Sequence, residues 1–200
     1  RRLKNTFAAD SAATLKNSLS DPYIKAIRWA SDRIGDEGLV AYVTNSGYVD
    51  GLATDGVRAH LAKDFDAVYI LDLGGNVRKN PKLSGTTHNV FSIQVGVSIA
   101  LFIRHKQKEL RPRKCVIRYA AAGENWRKEQ KWDWLEEKKA VGGIKWRAIK
   151  PDERHTWLHD GEGVGFAKFT PIGAKEAKAL DSLDAHAIFR TFSRGVCSNN

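Results

Sequence analysis

Residues 38–51, GLVAYVTNSGYVDG, carry the reading on which the rest of the chain depends. Gly38 supplies a turn, Leu39, Val40, Ala41, Tyr42 and Val43 form an apolar run, and Thr44, Asn45, Ser46 and Gly47 close it with a polar loop. An uninterrupted apolar run bounded by turn residues reads as a buried parallel strand. In open α/β sheets, ligands sit at the carboxyl ends of such strands. Upstream, Tyr23, Ile24, Ile27, Ala30 and Ile34 share one face of a helix over residues 23–34, and downstream a second helix is predicted over residues 49–65. A second apolar strand, AVYILDL, follows at residues 67–73. Helix, strand, helix, strand predicts a βαβ unit, so the first hundred residues read as half of a doubly wound domain.

With 200 residues and 42% hydrophobic content, the chain has apolar side chains enough for a core. Its formal net charge of +10 points to a polyanionic partner, of which nucleic acid is the commonest. Two cysteines, Cys115 and Cys197, make no disulfide framework and suit a reducing, cytoplasmic compartment. No run of about 18 apolar residues spans a bilayer, and RRLKNTFAADSAATLKN at residues 1–17 lacks the apolar centre of a signal peptide. Methionine is absent, position 1 included, which leads to the expectation of an internal fragment.

Residues 1–20 are small, polar and weakly patterned, as in a surface lead-in. Ser20 or Asp21 can cap the following helix, whose first turn accepts Pro22 because its missing N–H is unneeded there. Residues 74–89 form a long loop, and long loops in compact domains are usually functional or disordered. Arg78, Lys79 and Lys82 make it cationic, and Gly74, Gly75 and Gly85 let a ligand approach the backbone. It suits phosphate contact, with a solvated surface excursion as the lesser alternative. Residues 91–103, FSIQVGVSIALFI, are too long for one average strand without a bend at Gly96. With no helix before it, this strand returns antiparallel to its predecessor as a hairpin at the sheet edge.

Residues 26–65, AIRWASDRIGDEGLVAYVTNSGYVDGLATDGVRAHLAKDF, and 69–104, YILDLGGNVRKNPKLSGTTHNVFSIQVGVSIALFIR, resemble the later half of a known domain. It is the adenine-N6 DNA methyltransferase domain of single-polypeptide, type ISP-like restriction–modification enzymes. A weaker echo, IFRTFSRGV, lies at residues 188–196. The resemblance implies an α/β fold: a partial doubly wound, Rossmann-like sheet of parallel strands with an antiparallel edge hairpin, and a smaller α+β extension. Residues 1–106 would be the later half of the catalytic domain, and 107–200 a connector and the start of the region leading to target recognition. It also implies S-adenosylmethionine as cofactor of the complete protein and double-stranded DNA as partner. The rest of the polypeptide would carry the upstream motifs, with a helicase or nuclease as further candidates.

The family's glycine-rich cofactor loop and Asn-Pro-Pro-Tyr catalytic loop do not occur in this sequence. No catalytic, cofactor-binding or metal residue is therefore expected here, and the isolated chain is expected to be inactive. Asp21-Pro22-Tyr23 has one proline and precedes a helix, so it reads as a cap. Such enzymes flip the target adenine out of the duplex and hold it by stacking. By resemblance, Phe91 is the candidate stacking residue, with Thr44, Asn45, Ser46 and Tyr48 near the same cleft and Arg78, Lys79 and Lys82 on DNA. Phe91 reads equally as a core phenylalanine.

From residue 105 the texture changes to a charged connector, HKQKELRPRK, then a short strand over residues 115–119 and a tryptophan-rich helix around residues 124–139. Trp126, Trp132, Trp134, Trp146 and Trp157 could stack bases, but amphipathic packing on the sheet accounts for them better. GEGVGF at residues 161–166 follows no strand and reads as a turn. His155 and His159 have helical metal spacing without the glutamate that a zinc helix places after the first histidine. Pro151-Asp152 with Glu176 and Lys178 matches the loose pattern of metal-dependent nucleases. Beside the methyltransferase fragment, two alternatives stand: a non-catalytic nucleic-acid-binding module, and such a nuclease.

Overall fold

The computed structural model describes residues 2–158, apart from 81, 84, 86, 108 and 110, together with residues 170 and 188. The chain divides into two units, Arg1–Leu158 and His159–Asn200, and the elements below belong to the first. In chain order they are α1 (Pro22–Arg33), β1 (Gly38–Asn45), α2 (Gly47–Asp50), α3 (Asp55–Asp64), β2 (Ala67–Gly74), β3 (Val97–Arg104), β4 (Val116–Ala121), α4 (Lys128–Lys138) and β5 (Arg147–Ile149). The strands make one mixed sheet in the order β1-β3-β2-β4-β5, an open α/β architecture of the expected class. None of the described helices is long and apolar enough to cross a membrane.

The topology departs from the expected βαβ unit at one point. β2 and β3 do form the antiparallel pair, with Val68 opposite Phe102 and Ile70 opposite Ala100. That hairpin lies inside the sheet, because β3 also pairs along its other side with β1, again antiparallel, Tyr42 facing Ala100. β1 and β2 thus run in the same direction with β3 between them. The stretch read as a buried parallel strand is an antiparallel edge strand: Val40 and Tyr42 turn inward, while Leu39 and Val43 are 59% and 52% exposed. An apolar run carries no alternation from which to see which face is covered. Parallel pairing is supplied by β2 and β4, and β5 adds an antiparallel edge. The sheet therefore continues past residue 106.

Even-numbered positions of β1 to β3 line the larger core. Val68, Ile70, Ala100 and Phe102 pack there with Ile24 and Ile27 of α1 and with Val57 and Leu61 of α3, all wholly or almost wholly buried. Burying each such side chain contributes about 1.5–3 kcal/mol. Phe7 and Leu19 belong to the same core and Leu3 packs against it, so the expected surface lead-in is anchored through three of its large apolar side chains. A smaller core on the opposite face joins Leu71, Leu73, Val97 and Ala120 to Trp134, Leu135 and Trp146, which covers the carboxyl half of the sheet with α4. α1 starts with Pro22 at its first turn after Asp21, as expected, but the Asp21 side chain makes no capping hydrogen bond.

The single helix expected over residues 49–65 is broken. Gly51 is extended (φ −63°, ψ 138°), separating α2 from a 3-10 turn and α3. The carbonyls freed by the break are taken by Thr54 of the 3-10 turn and by Arg58 of α3. Arg58 Nη1 donates to Tyr48 O at 3.0 Å and Gly51 O at 2.8 Å, and Thr54 Oγ1 donates to Gly51 O at 2.8 Å.

Candidate functional site

The carboxyl ends of β1 and β2 and the amino end of β3 meet at one sheet edge, where residues 44–51, 74–80 and 89–96 converge. Asn45 Oδ1 accepts from Gly47 N at 2.8 Å, which turns the chain from β1 into α2. Ser46 N then donates to Gly96 O at 2.9 Å, tying this turn to the entrance of β3. A Cβ at Gly96 would lie 2.4 Å from Ser46 Oγ and 3.3 Å from Asn76 Cβ, so any other residue here would make the Ser46 hydroxyl turn away. The bend expected at Gly96 is the point where loop becomes strand. Lys79, in the cationic loop, is ion-paired with Asp50 of α2, and Arg78 and Lys82 are exposed.

Asn89 organises the turn that carries Phe91. Its side chain is wholly buried. Nδ2 donates to Val95 O at 2.6 Å and to Gly75 O at 3.3 Å, while Oδ1 accepts from Phe91 N at 2.9 Å and Ile93 N at 3.4 Å. With the inside of the turn filled, its side chains face outward. Phe91 is 60% exposed and Ile93 42%, and Ser92 between them takes the left-handed conformation (φ 56°). Phe91 is therefore no part of either core.

Among the residues expected around a base pocket, the structure brings Thr44, Asn45 and Ser46 to this edge, half-buried. Tyr48 lies beneath it, wholly buried, its ring 6.3 Å from that of Tyr23. Burial pushes the Tyr48 phenol up, and pushes Tyr23 up to about 12. Next to them, Tyr119 Oη donates to Asp72 Oδ2 at 3.1 Å and Gly74 N to Asp72 Oδ1 at 2.8 Å. Burial raises the Asp72 carboxyl above its ordinary range, against these two donors. Asp72 and Asn89 were not singled out from sequence. Asp72 ends an apolar strand at the ligand-binding side, which is a usable signal, whereas Asn89 looks like any loop asparagine.

The residues after 121 support the same edge. Trp126 and Trp134 stack edge-to-face at 5.9 Å, Trp146 does so with Tyr69 at 5.1 Å, and Trp157 is buried in the larger core. Only Trp132 of the five is exposed, at 47%, so packing accounts for the other four. Asp152 Oδ1 accepts from Arg154 N at 2.9 Å and Thr156 N at 2.8 Å, a turn-forming role. His159, the segment 161–166, Glu176 and Lys178 lie outside the described residues. Among the described residues, no group of three or more histidine, cysteine or carboxylate side chains could hold a metal ion.

Gly74, the last residue of β2, and Gly75 have φ of 61° and 77°, as a cofactor-cradling turn would. The space is taken by protein: a Cβ at Gly75 would lie 2.8 Å from Asn89 Cα and 2.9 Å from His88 O. The Cα side of Gly75 is thus occupied by the chain itself.

No family model matches the chain, and no curated protein matches it. Several solved structures do. The cryo-EM structure of a DrdV–DNA complex matches with a TM-score of 0.77 and 34% identity, over 94% of this chain and 18% of that one. The ATP-dependent Type ISP restriction-modification enzyme LlaBIII bound to DNA matches with a TM-score of 0.75 and 33% identity, over 87% and 12% of the respective chains. A nuclease-deletion mutant of the Type ISP restriction-modification enzyme LlaGI, in complex with a DNA substrate mimic, matches at 0.75 and 25%, over 87% and 14%. The chain thus spans less than a fifth of the length of each of these proteins.

Proposed function

We propose that this chain is a DNA-binding part of a restriction–modification enzyme, and within it the target-base side of an adenine-N6 methyltransferase. The observation that carries the reading is the exposed Phe91 on a turn held from inside by the buried Asn89, at the carboxyl edge of the sheet. The likeness to DNA-bound restriction-modification enzymes supports it, as does the net charge of +10.

An adenine within a duplex hides its N6 edge in the base pair, so a methylating enzyme must extrude it and replace its lost stacking. Phe91 offers an aromatic face for that purpose, worth about 1–3 kcal/mol per base. Arg78 and Lys82, with Lys79, neutralise phosphates nearby, which supplies affinity without reading sequence. S-adenosylmethionine supplies the methyl group in such enzymes. Its binding loop is expected in another part of the complete protein, since His88 and Asn89 pack against Gly75.

Phe91→Ala in the full-length protein tests the reading. Duplex affinity should change little, while methylation of adenine in a perfect duplex falls about 5- to 100-fold. A mismatch opposite the adenine should restore most of the rate, because extrusion then costs less. Were the chain a binding module alone, the substitution would weaken binding and leave the two duplexes equivalent.

A further inference from the structure

α4 and the turn before it hold Asn80, Thr87, His88 and Ser92 of the chain between β2 and β3. Asn80 Nδ2 donates to Glu124 Oε1 at 2.9 Å, Lys128 N to Thr87 O at 2.9 Å, and His88 Nδ1 lies 3.2 Å from Trp126 O. Lys128 Nζ reaches Ser92 Oγ at 3.4 Å. The innermost contact is made by Lys131, which is wholly buried and whose Nζ donates to His88 O at 2.5 Å.

A buried lysine is costly. Burial lowers the basicity of its amine, opposed by the nearby Asp72 carboxylate. An apolar residue of similar length would fill the same space without desolvating a charge. What the lysine adds is a donor fixed on the carbonyl of His88, the residue before Asn89. Asn89 in turn holds the Phe91 amide. The path from α4 to the exposed ring is thus Lys131, His88, Asn89, Phe91.

We propose that Lys131 is a positioning residue for Phe91: α4 fixes the base of the 89–93 turn through the His88 carbonyl and so sets where the ring meets a nucleobase. This rests on the reading of Phe91 as the stacking residue. Residues 124–131 then belong to the base-side surface, although they follow the charged connector.

The experiment uses the full-length protein with Lys131→Met, Phe91→Ala and both together, read by thermal unfolding, duplex affinity and methylation of perfect and mismatched duplexes. Lys131→Met should unfold within a few degrees of the parent and keep its affinity. It should also lose about tenfold in perfect-duplex methylation, with most of the loss recovered on the mismatch. The double variant should be no slower than Phe91→Ala, since the ring to be positioned is gone. Equal losses on both duplexes, or losses that multiply in the double variant, overturn the proposal. If Lys131→Met fails to fold, Lys131→Gln replaces it, keeping a polar tip whose amide falls one bond short of the lysine amine on the His88 carbonyl. A perfect-to-mismatch ratio lowered about two- to threefold then supports the proposal, and an unchanged ratio overturns it. If Phe91→Ala itself leaves that ratio untouched, the stacking reading fails; if only the lysine variants do, the positioning role alone fails.

Discussion

Phe91 faces solvent because Asn89 spends all its hydrogen-bonding capacity inside the turn: two backbone amides on its oxygen and two carbonyls on its nitrogen. From sequence, Phe91 was recognisable as an aromatic beside a cationic loop, and resemblance made it a stacking candidate. Its exposure was not legible, because VFSIQV reads as the start of a strand until the turn closed by Asn89 is known. Tyr48 shows the opposite case, a polar-tipped residue near the edge whose ring is wholly buried. Asp32 illustrates what a single carboxylate contributes. The Arg2 guanidinium 2.8 Å away, with Arg28 at 2.9 Å, holds its carboxyl below the usual range. A depressed carboxyl stabilises the fold above its unfolded pKa of about 3.9 and loses that contribution as pH falls through the folded value. Asp32→Asn should therefore unfold at a lower temperature than the parent near pH 6, and the gap should close progressively below pH about 4. A gap independent of pH would show that the ion pairs are not its source.

α1, β2 and α4 were legible within a few residues because each carries its period and its boundary residues: Pro22 after Asp21, Gly74 after Leu73, and the tryptophans of α4. β1 was legible as a strand and illegible as an edge, since its neighbour is decided by β3, which lies some fifty residues downstream. The break between α2 and α3 was hidden for a different reason. Gly51 weakens a helix without requiring a break, and what stabilises the break is the side chain of Arg58, seven residues later. Arg58 also donates to His155 O at 2.6 Å, joining the break to the end of the described chain. Arg58→Met should leave the His155 carbonyl without this donor and the Tyr48 and Gly51 carbonyls with Thr54 alone, at about 1–3 kcal/mol for a buried orphan. Urea denaturation should show a loss of about 1–3 kcal/mol. A loss under about 0.5 kcal/mol, the usual range for a surface site, would mean that Gly51 and Thr54 hold the break without Arg58.

At the scale of the whole molecule, the charge of +10 is spread over a chain whose own carboxylates already occupy several cations. Lys79 is one of these, paired with Asp50, so the three loop cations are not equivalent. In the full-length protein, neutralising Arg78 or Lys82 should each flatten the salt dependence of duplex binding by about 0.9 log unit in slope, equally on every DNA sequence. Neutralising Lys79 should do less, because its charge is partly satisfied before DNA arrives. Three equal changes would show that the Lys79–Asp50 pair opens on binding. The central claim is that a nucleobase leaves the duplex and lands on Phe91, and photochemical cross-linking reads this directly. The full-length protein is bound to a duplex carrying 5-iodouracil in place of the target adenine, irradiated, digested and mapped. The expected attachment is at Phe91, abolished by Phe91→Ala. Attachment confined to residues outside the 89–93 turn, with Phe91→Ala cross-linking as the parent does, would contradict it.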